Sequence, residues 1–185
     1  MDTFDYILIG ISVAMDAFTV TIAKTMANEK TARWKLLQLP FFFGFFQFAM
    51  PLLGGLLITN FAKYVEAIDH WIAFGLLLYI GGNMIKEAKS EAEDLDSALD
   101  YRTILLLSIA TSIDALSVGI SFAVGGGNVW TGSLYCGLLT ALICLIGVFI
   151  GKASGAYLKD KAGILGGCIL IFIGFKILVE HLFGL

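Results

Sequence analysis

Long apolar runs dominate this sequence and limit the folds open to it. Six of them are long enough to cross a bilayer, at about 4–27, 35–60, 68–87, 102–125, 129–151 and 162–183. A helix rises 1.5 Å per residue, so about 20 apolar residues span the hydrocarbon layer. Because lipid offers no partner for open backbone groups, such runs must be helical. The sequence therefore predicts an all-α membrane protein with six transmembrane helices.

The composition supports this class and excludes several others. The 185 residues are 58% hydrophobic and 15% charged, with a mean hydropathy of +0.88, which is too apolar for a soluble domain. The net charge of −3 and the lack of a basic cluster exclude a typical nucleic-acid partner. Cys136, Cys144 and Cys168 lie in apolar runs without paired spacing, so neither a disulfide framework nor a CxxC metal site is predicted.

Positive charges predict the orientation of the helices. Ten lysines and arginines lie in or beside the first, third and fifth connections: Lys24, Lys30, Arg33, Lys35, Lys86, Lys89, Arg102, Lys152, Lys159 and Lys161. On the opposite side, the second connection holds Lys63 and the fourth holds no positive charge. The positive-inside rule therefore predicts that both termini face outward.

The chain also contains an internal repeat. Residues 15–20 (MDAFTV) align with residues 113–118 (IDALSV), and later positions pair Gly44 with Gly137, Gln47 with Thr140 and Gly54 with Gly147. We predict a first three-helix repeat over 1–86, an acidic cytoplasmic linker over 87–101 and a second repeat over 102–185. Because each repeat has an odd number of spans, the second must enter the membrane inverted, as in many secondary transporters.

Two aspartates, Asp16 and Asp114, lie in the middle of apolar runs at equivalent positions of the two repeats. A carboxylate at that depth costs roughly 2.5–3.5 kcal/mol and is retained where it faces a cavity, a partner or an ion. A two-fold axis in the membrane plane would bring both carboxylates to one central site. We therefore predict that Asp16 and Asp114 bind a divalent cation at the midplane.

Neutral oxygens near the two aspartates are candidates for a supporting role. On helical spacing, Ser12 and Thr19 share the face of Asp16, and Thr111 and Ser117 share the face of Asp114. Further candidates are the Gln47 amide in the second run, and Asn83 and Glu87 at the inner end of the third. Such oxygen ligands suit Mg²⁺, Ca²⁺ or Mn²⁺. The alternative is that these groups form hydrogen bonds between helices.

Four segments resemble one known family. They are residues 15–18 (MDAF), 110–115 (ATSIDA), 44–54 with FFQFAMP, and 81–87 (GGNMIKE). In these segments, and over essentially its whole length, the chain resembles the MntP family of bacterial manganese exporters, within the LysE-like group. The resemblance implies Mn²⁺ efflux across the cytoplasmic membrane, with the aspartates of both Asp-Ala motifs required. It also implies proton exchange.

Other functions remain open from the residues themselves. The same helices could export another divalent cation, an amino acid or an organic cation. Two membrane aspartates could also form the acid/base pair of an intramembrane enzyme, although we expect a transporter, with Mn²⁺ as cargo, no cofactor and no enzymatic activity. A structural subunit of a larger complex is a further alternative. GxxxG steps at Gly147, Gly151 and Gly155 predict tight helix packing and are compatible with a homodimer.

Overall fold

The computed structural model describes residues 2–28, 31–56, 71, 74–75, 78–82, 85–86, 100–158 and 162–183. Within these ranges the regular structure is helical and contains no strand. The helices are α1 (Thr3–Ala27), α2 (Arg33–Leu36), α3 (Gln38–Leu56), α4 (Tyr101–Ala110), α5 (Ala115–Val124), α6 (Val129–Leu158) and α7 (Ala162–Phe183). This confirms the predicted all-α class for the described part of the chain.

Four of the six predicted spans are confirmed as long apolar helical segments: Thr3–Ala27, Trp34–Leu56, Tyr101–Val124 and Val129–Gly155. The sixth run forms α7. In the third run, the described residues 71, 74–75, 78–82 and 85–86 are helical. The rest of that run, and residues 87–99 of the predicted linker, lie outside the described residues.

The outer faces of the helices are apolar, as a bilayer requires. On α1, four large apolar side chains follow one another at helical spacing and are exposed: Phe4, Leu8, Ile11 and Met15. On α6 the exposed stripe comprises Leu134, Leu138, Leu142, Ile146 and Phe149. The opposite face of α1 is buried and carries small residues, among them Ala14 and Ala17. Large apolar surfaces of this extent mark contact with lipid or with another protein.

Helices α1 and α6 pack in parallel along most of their length. A Cβ atom on Gly10 would lie 3.3 Å from the Tyr135 carbonyl oxygen, and one on Gly151 would lie 2.7 Å from the Ile22 carbonyl oxygen. Residue numbers therefore increase together on the two helices. Gly147 and Gly151 of α6 thus serve packing within one chain, and a homodimer stays a prediction.

Helices α3 and α5 approach each other even more closely. A Cβ atom on Gly54 would collide with the Leu116 carbonyl oxygen, and one on Gly119 would collide with the Pro51 carbonyl oxygen. The two backbones are therefore in direct contact, which only residues without a side chain allow. This crossing fixes the position of α5 against the last turns of α3.

Two hydrogen bonds connect distant parts of the chain at the two ends of the bundle. At the upper end, where α1 begins, the Asn128 amide donates to Tyr6 Oη at 2.7 Å. At the lower end, Lys152 Nζ donates to the Thr31 carbonyl oxygen at 3.3 Å. The connection after α5 therefore lies beside the first turns of α1, and the connection after α1 lies beside the last third of α6.

We predict that Gly119→Ala destabilises the protein, because its methyl group would push α3 and α5 apart at Pro51. Overpacking of a buried contact typically costs about 1–3 kcal/mol. The matched control is Gly82→Ala, since Gly82 is helical and exposed, and no heavy atom of the described residues lies within 4 Å of an added Cβ. Thermal unfolding in detergent should show a Tm several degrees lower for Gly119→Ala and little change for Gly82→Ala. Equal Tm values would contradict the crossing.

Candidate functional site

Two clusters of buried apolar side chains fill the two ends of the bundle. The upper cluster consists of Tyr6, Phe122 and Cys136. The lower cluster is larger and comprises Ala17, Val20, Ala23, Leu36, Leu39, Phe43, Ile80, Ile104, Leu107, Cys144, Val148, Leu170 and Ile173. Helices α1 and α6 each contribute residues to both clusters, and α4 contributes to the lower cluster while α5 contributes to the upper one. The parts of these helices that lie between the two clusters are therefore at the centre of the bundle.

Buried polar side chains occupy this central segment. Gln47 follows Phe43 on α3, Thr111 and Ser112 connect α4 to α5, and Thr140 lies on α6 between the two clusters. All four are between 0% and 3% exposed. We call Gln47, Thr111, Ser112 and Thr140 the polar layer. Burying polar groups without partners is costly, so such a layer must be satisfied or serve a purpose.

The fourth span is interrupted in this layer by the turn Thr111–Asp114. The Ser112 amide donates to the Ile109 carbonyl at 3.0 Å, and the Leu116 amide donates to the Ile113 carbonyl at 3.1 Å, in place of the regular i→i−4 pattern. The prediction of one continuous helix through Thr111 and Asp114 is therefore wrong, whereas a supporting role for Thr111 stays a prediction. Irregular backbone at membrane depth is tolerated where it is buried in protein or lines a water-filled cavity.

Asp114 begins the second half of the interrupted span. It is the N-cap residue of α5, and its Oδ1 accepts a hydrogen bond from the Ala115 amide at 2.9 Å. Asp16, its repeat mate, lies inside the continuous helix α1 and is half-buried, whereas Asp114 is exposed. The two aspartates thus occupy equivalent sequence positions in different backbone settings.

The Gln47 side chain joins the two aspartate-bearing segments. Its Nε2 donates to the Thr111 carbonyl oxygen at 2.8 Å and to the Val13 carbonyl oxygen at 3.4 Å. Val13 precedes Asp16 by three residues, and Thr111 precedes Asp114 by three residues. One buried amide therefore contacts equivalent carbonyls of both repeats. This contact brings the two segments to the same level of the bundle.

Three side-chain oxygens of the polar layer have no hydrogen-bond partner in the described part of the structure. They are Gln47 Oε1, Ser112 Oγ and Thr140 Oγ1. Gln47 was predicted to present its amide oxygen to an ion, and that oxygen is not engaged by these residues. Ser112 was not singled out from the sequence, although serine and threonine are neutral to unfavourable inside helices and so signal a break at Thr111-Ser112.

Most of the predicted hydroxyl ligands instead bond to their own helix. Ser12 donates to the Leu8 carbonyl at 3.0 Å, Thr19 to the Met15 carbonyl at 2.9 Å, and Thr111 to the Leu107 carbonyl at 2.9 Å. Ser117 is half-buried on the first turn of α5. Asn83 and Glu87 lie outside the described residues. The back-bonded hydroxyls keep free lone pairs, but their hydrogen atoms are already used.

The described residues contain no group of three or more histidine, cysteine, aspartate or glutamate side chains that could hold a metal. A cation bound in this part of the chain would therefore depend on a pair of carboxylates together with neutral oxygens. That donor set suits hard divalent ions and not soft ones.

Comparison with known proteins identifies relatives over the full length of the chain. A family model described as "Mntp: Putative manganese efflux pump" matches residues 30–178. A protein from Bifidobacterium adolescentis named "Putative manganese efflux pump MntP" is 44% identical over 179 residues, which cover 95% of each chain. A protein of the same name from Mannheimia succiniciproducens is 44% identical over 188 residues and covers 100% of both chains.

A third relative of that name, from Desulfitobacterium hafniense, is 43% identical over 182 residues, covering 98% of this chain and 97% of its own. No solved structure matches the chain at a significant level. Since the family model covers most of the sequence and the relatives align from end to end, the chain belongs to the MntP family and is a multi-pass membrane protein.

Proposed function

We propose that this protein is a secondary-active exporter of Mn²⁺ in the bacterial cytoplasmic membrane, which binds the ion at the midplane between Asp16 and Asp114. The single observation that carries this proposal is the pair of hydrogen bonds from Gln47 Nε2 to the Val13 and Thr111 carbonyls. It supports a common level for the two aspartates. The names of the relatives supply the ion and the direction of transport.

The chemistry of the pair explains why a divalent ion would bind there. Two carboxylates placed near each other at the depth of the bilayer midplane would repel, and each is costly there alone. A divalent cation neutralises both charges, and neutral oxygens on the helices that carry the two aspartates add no charge of their own. Hard oxygen ligands favour Mn²⁺ over soft metals.

The proposed arrangement of inverted repeats is supported by contacts that recur between the halves. Gly54 meets the Leu116 carbonyl oxygen, and its repeat mate Gly147 lies against the Phe18 carbonyl oxygen, at 3.4 Å from an added Cβ. Leu116 and Phe18 each follow an aspartate by two residues. Each glycine therefore contacts the carbonyl that lies two residues after the aspartate of the other half.

The mates Gly44 and Gly137 also meet each other. A Cβ on Gly44 would lie 3.0 Å from the Gly137 carbonyl oxygen, and one on Gly137 would lie 2.8 Å from the Gly44 carbonyl oxygen. Reciprocal contacts of this kind are expected beside a pseudo-two-fold axis. They favour 1–86 and 102–185 as the two repeats that rock against each other around a central site.

We also propose that both termini lie outside the cell. The positive-inside rule predicts this orientation. It is supported by Lys152, which donates to the Thr31 carbonyl and so places the lysine-bearing first and fifth connections at one end of the bundle.

The first test removes each carboxylate without removing the helix cap. Asp114→Asn keeps an Oδ1 that can accept from the Ala115 amide, so α5 should still begin normally. We expect Asp16→Asn and Asp114→Asn each to lower the rate of Mn²⁺ transport by at least about 100-fold, since even outer-shell changes at metal sites cost roughly 10–100-fold. Manganese resistance of cells and Mn²⁺ flux in proteoliposomes measure this.

The matched control is Asp2→Asn, which removes one carboxylate at the exposed start of α1. It should transport like the wild type. Normal flux through a well-folded Asp114→Asn protein would refute the proposed site.

The second test compares substrates. Proteoliposomes should transport Mn²⁺ in preference to Zn²⁺ or Cu⁺, because the donor set lacks a thiolate or histidine cluster in the described residues. Mg²⁺ and Ca²⁺ measure selectivity among hard ions. Flux of lysine or of an organic cation, with no flux of any divalent metal, would instead support the alternative substrate class.

The third test concerns energy coupling. After the ion leaves, two negative charges at the midplane would be costly, so we expect the carboxylates to return with up to two protons. Exchange of two protons for one Mn²⁺ moves no net charge. Mn²⁺ uptake should therefore increase when the vesicle lumen is more acidic than the medium, and a valinomycin-imposed membrane potential should change it little. Uptake that ignores the pH gradient would contradict proton exchange.

A further inference from the structure

The amide nitrogen of Gln47 has a role that is separate from any role of the amide oxygen. We infer that Gln47 is a positioning residue: its Nε2 clasps the backbone of the two aspartate-bearing segments and holds their carboxylates at a fixed separation. The hydrogen bonds to the Val13 and Thr111 carbonyls, at 3.4 Å and 2.8 Å, form this clasp. The inference deepens the proposed function and rests on it for the role of the aspartates.

The two hydrogen-bond partners determine that the NH₂ group of Gln47, and not its oxygen, faces them. Both groups that it contacts are carbonyl oxygens, which accept hydrogen bonds and cannot donate them. An NH₂ group has two hydrogens and can serve two acceptors, whereas the amide oxygen would be repelled by both. Gln47 is fully buried, so water cannot replace the lost bonds if the NH₂ group is removed.

The clasp acts on the aspartates through short backbone paths. On α1, Val13 and Asp16 are three residues apart and lie on the same side of the helix. In the interrupted span, Thr111 and Asp114 are the first and last residues of the turn. The Thr111 carbonyl is released from the helical pattern there and receives its hydrogen bond from Gln47. Loss of this bond would free the turn that carries Asp114.

The second repeat does not duplicate the clasp. The mate of Gln47 is Thr140, which follows Gly137 by three residues as Gln47 follows Gly44. Thr140 is also fully buried, but its shorter side chain has no hydrogen-bond partner in the described part of the chain. The connection between the two segments therefore comes from the first repeat, and Thr140 provides a matched control position.

A metal-free experiment tests the clasp independently of transport. In the purified full-length protein without Mn²⁺, hydrogen–deuterium exchange at residues 112–116 should be roughly three- to tenfold faster in Gln47→Met, which keeps the length of the side chain but has no donor. Exchange in α6 should not change. Thr140→Val, which removes a hydroxyl at the mate position, should exchange like the wild type.

Transport by the same variants gives the functional readout. For Gln47→Met we expect the Mn²⁺ concentration at half-maximal flux to rise roughly three- to tenfold, since the two carboxylates would no longer be held together. Thr140→Val should transport normally. If the wild type transports no divalent metal at all, the proposed function fails, while the exchange result still decides whether the clasp exists.

Gln47→Glu separates the clasp from a ligand role, and it is close in shape to the native residue if Gln47→Met does not fold. A carboxylic acid can donate only while it is protonated. Relative to the wild type at each pH, transport by Gln47→Glu should therefore decrease as the pH is raised from about 6 to about 8. A residue that binds Mn²⁺ through its oxygen would show the opposite trend, because a carboxylate is a better ligand than a carboxylic acid.

Three results would overturn the inference. The first is unchanged exchange at residues 112–116 in Gln47→Met. The second is an effect of Thr140→Val on exchange and transport as large as that of Gln47→Met, which would mean that the polarity of the layer matters and not the clasp. The third is transport by Gln47→Glu that improves with pH, which would assign Gln47 as an ion ligand.

Discussion

The interruption of the fourth span leaves the Thr111 carbonyl without its helical hydrogen-bond partner. At Thr111 the helix stops, and in an apolar bundle an unsatisfied buried carbonyl costs about 1–3 kcal/mol. Gln47 removes that cost with a hydrogen bond of 2.8 Å. The interruption can therefore exist, and because it exists Asp114 lies at the N-terminus of a new helix. There its side chain caps α5, and the helix dipole favours its negative charge.

Close helix packing places the donor where it is needed. The contacts of α3 with the interrupted span begin in the lower cluster at Phe43 and Leu107, continue through Gln47 and Thr111, and end at the crossing of Gly54 with Leu116. A glutamine side chain reaches only a few ångströms, so α3 must lie almost against the turn. The glycines of this crossing allow that approach. Packing and the polar contact thus depend on each other.

The sequence predicted the all-α class and the four spans that the structure confirms, because apolar length is visible in the residues. The equivalence of the two aspartates stays a prediction. The sequence did not predict the interruption. The first and fourth spans have the same mean hydropathy of 1.8, so hydropathy cannot distinguish the continuous helix from the broken one. The difference lies in the residues before each aspartate. Val13-Ala14 has no side-chain hydrogen-bonding group, whereas the Thr111 hydroxyl donates to the Leu107 carbonyl of the preceding turn, a contact that slightly destabilises and bends helices. The direction of the Gln47 amide was equally hidden, since it depends on two carbonyls from distant parts of the chain.

Symmetric packing combined with asymmetric polar residues has a consequence for the proposed transport cycle. Gly54 and Gly147 contact equivalent neighbours, so these packing positions are the same in the two proposed repeats. The polar layer is not: Gln47 stands opposite Thr140, and Val13 opposite Thr111. If the change between inward- and outward-facing states exchanges the environments of the two repeats, the turn Thr111–Asp114 that Gln47 holds has no counterpart in the other repeat. The inward- and outward-facing states then differ in energy by the bonds that Gln47 makes, which is within the few kcal/mol that separate the states of a protein with two conformations. Ion binding to both aspartates would have to overcome that difference in energy. The uncharged side chain of Gln47 would then determine which conformation the protein adopts without the ion.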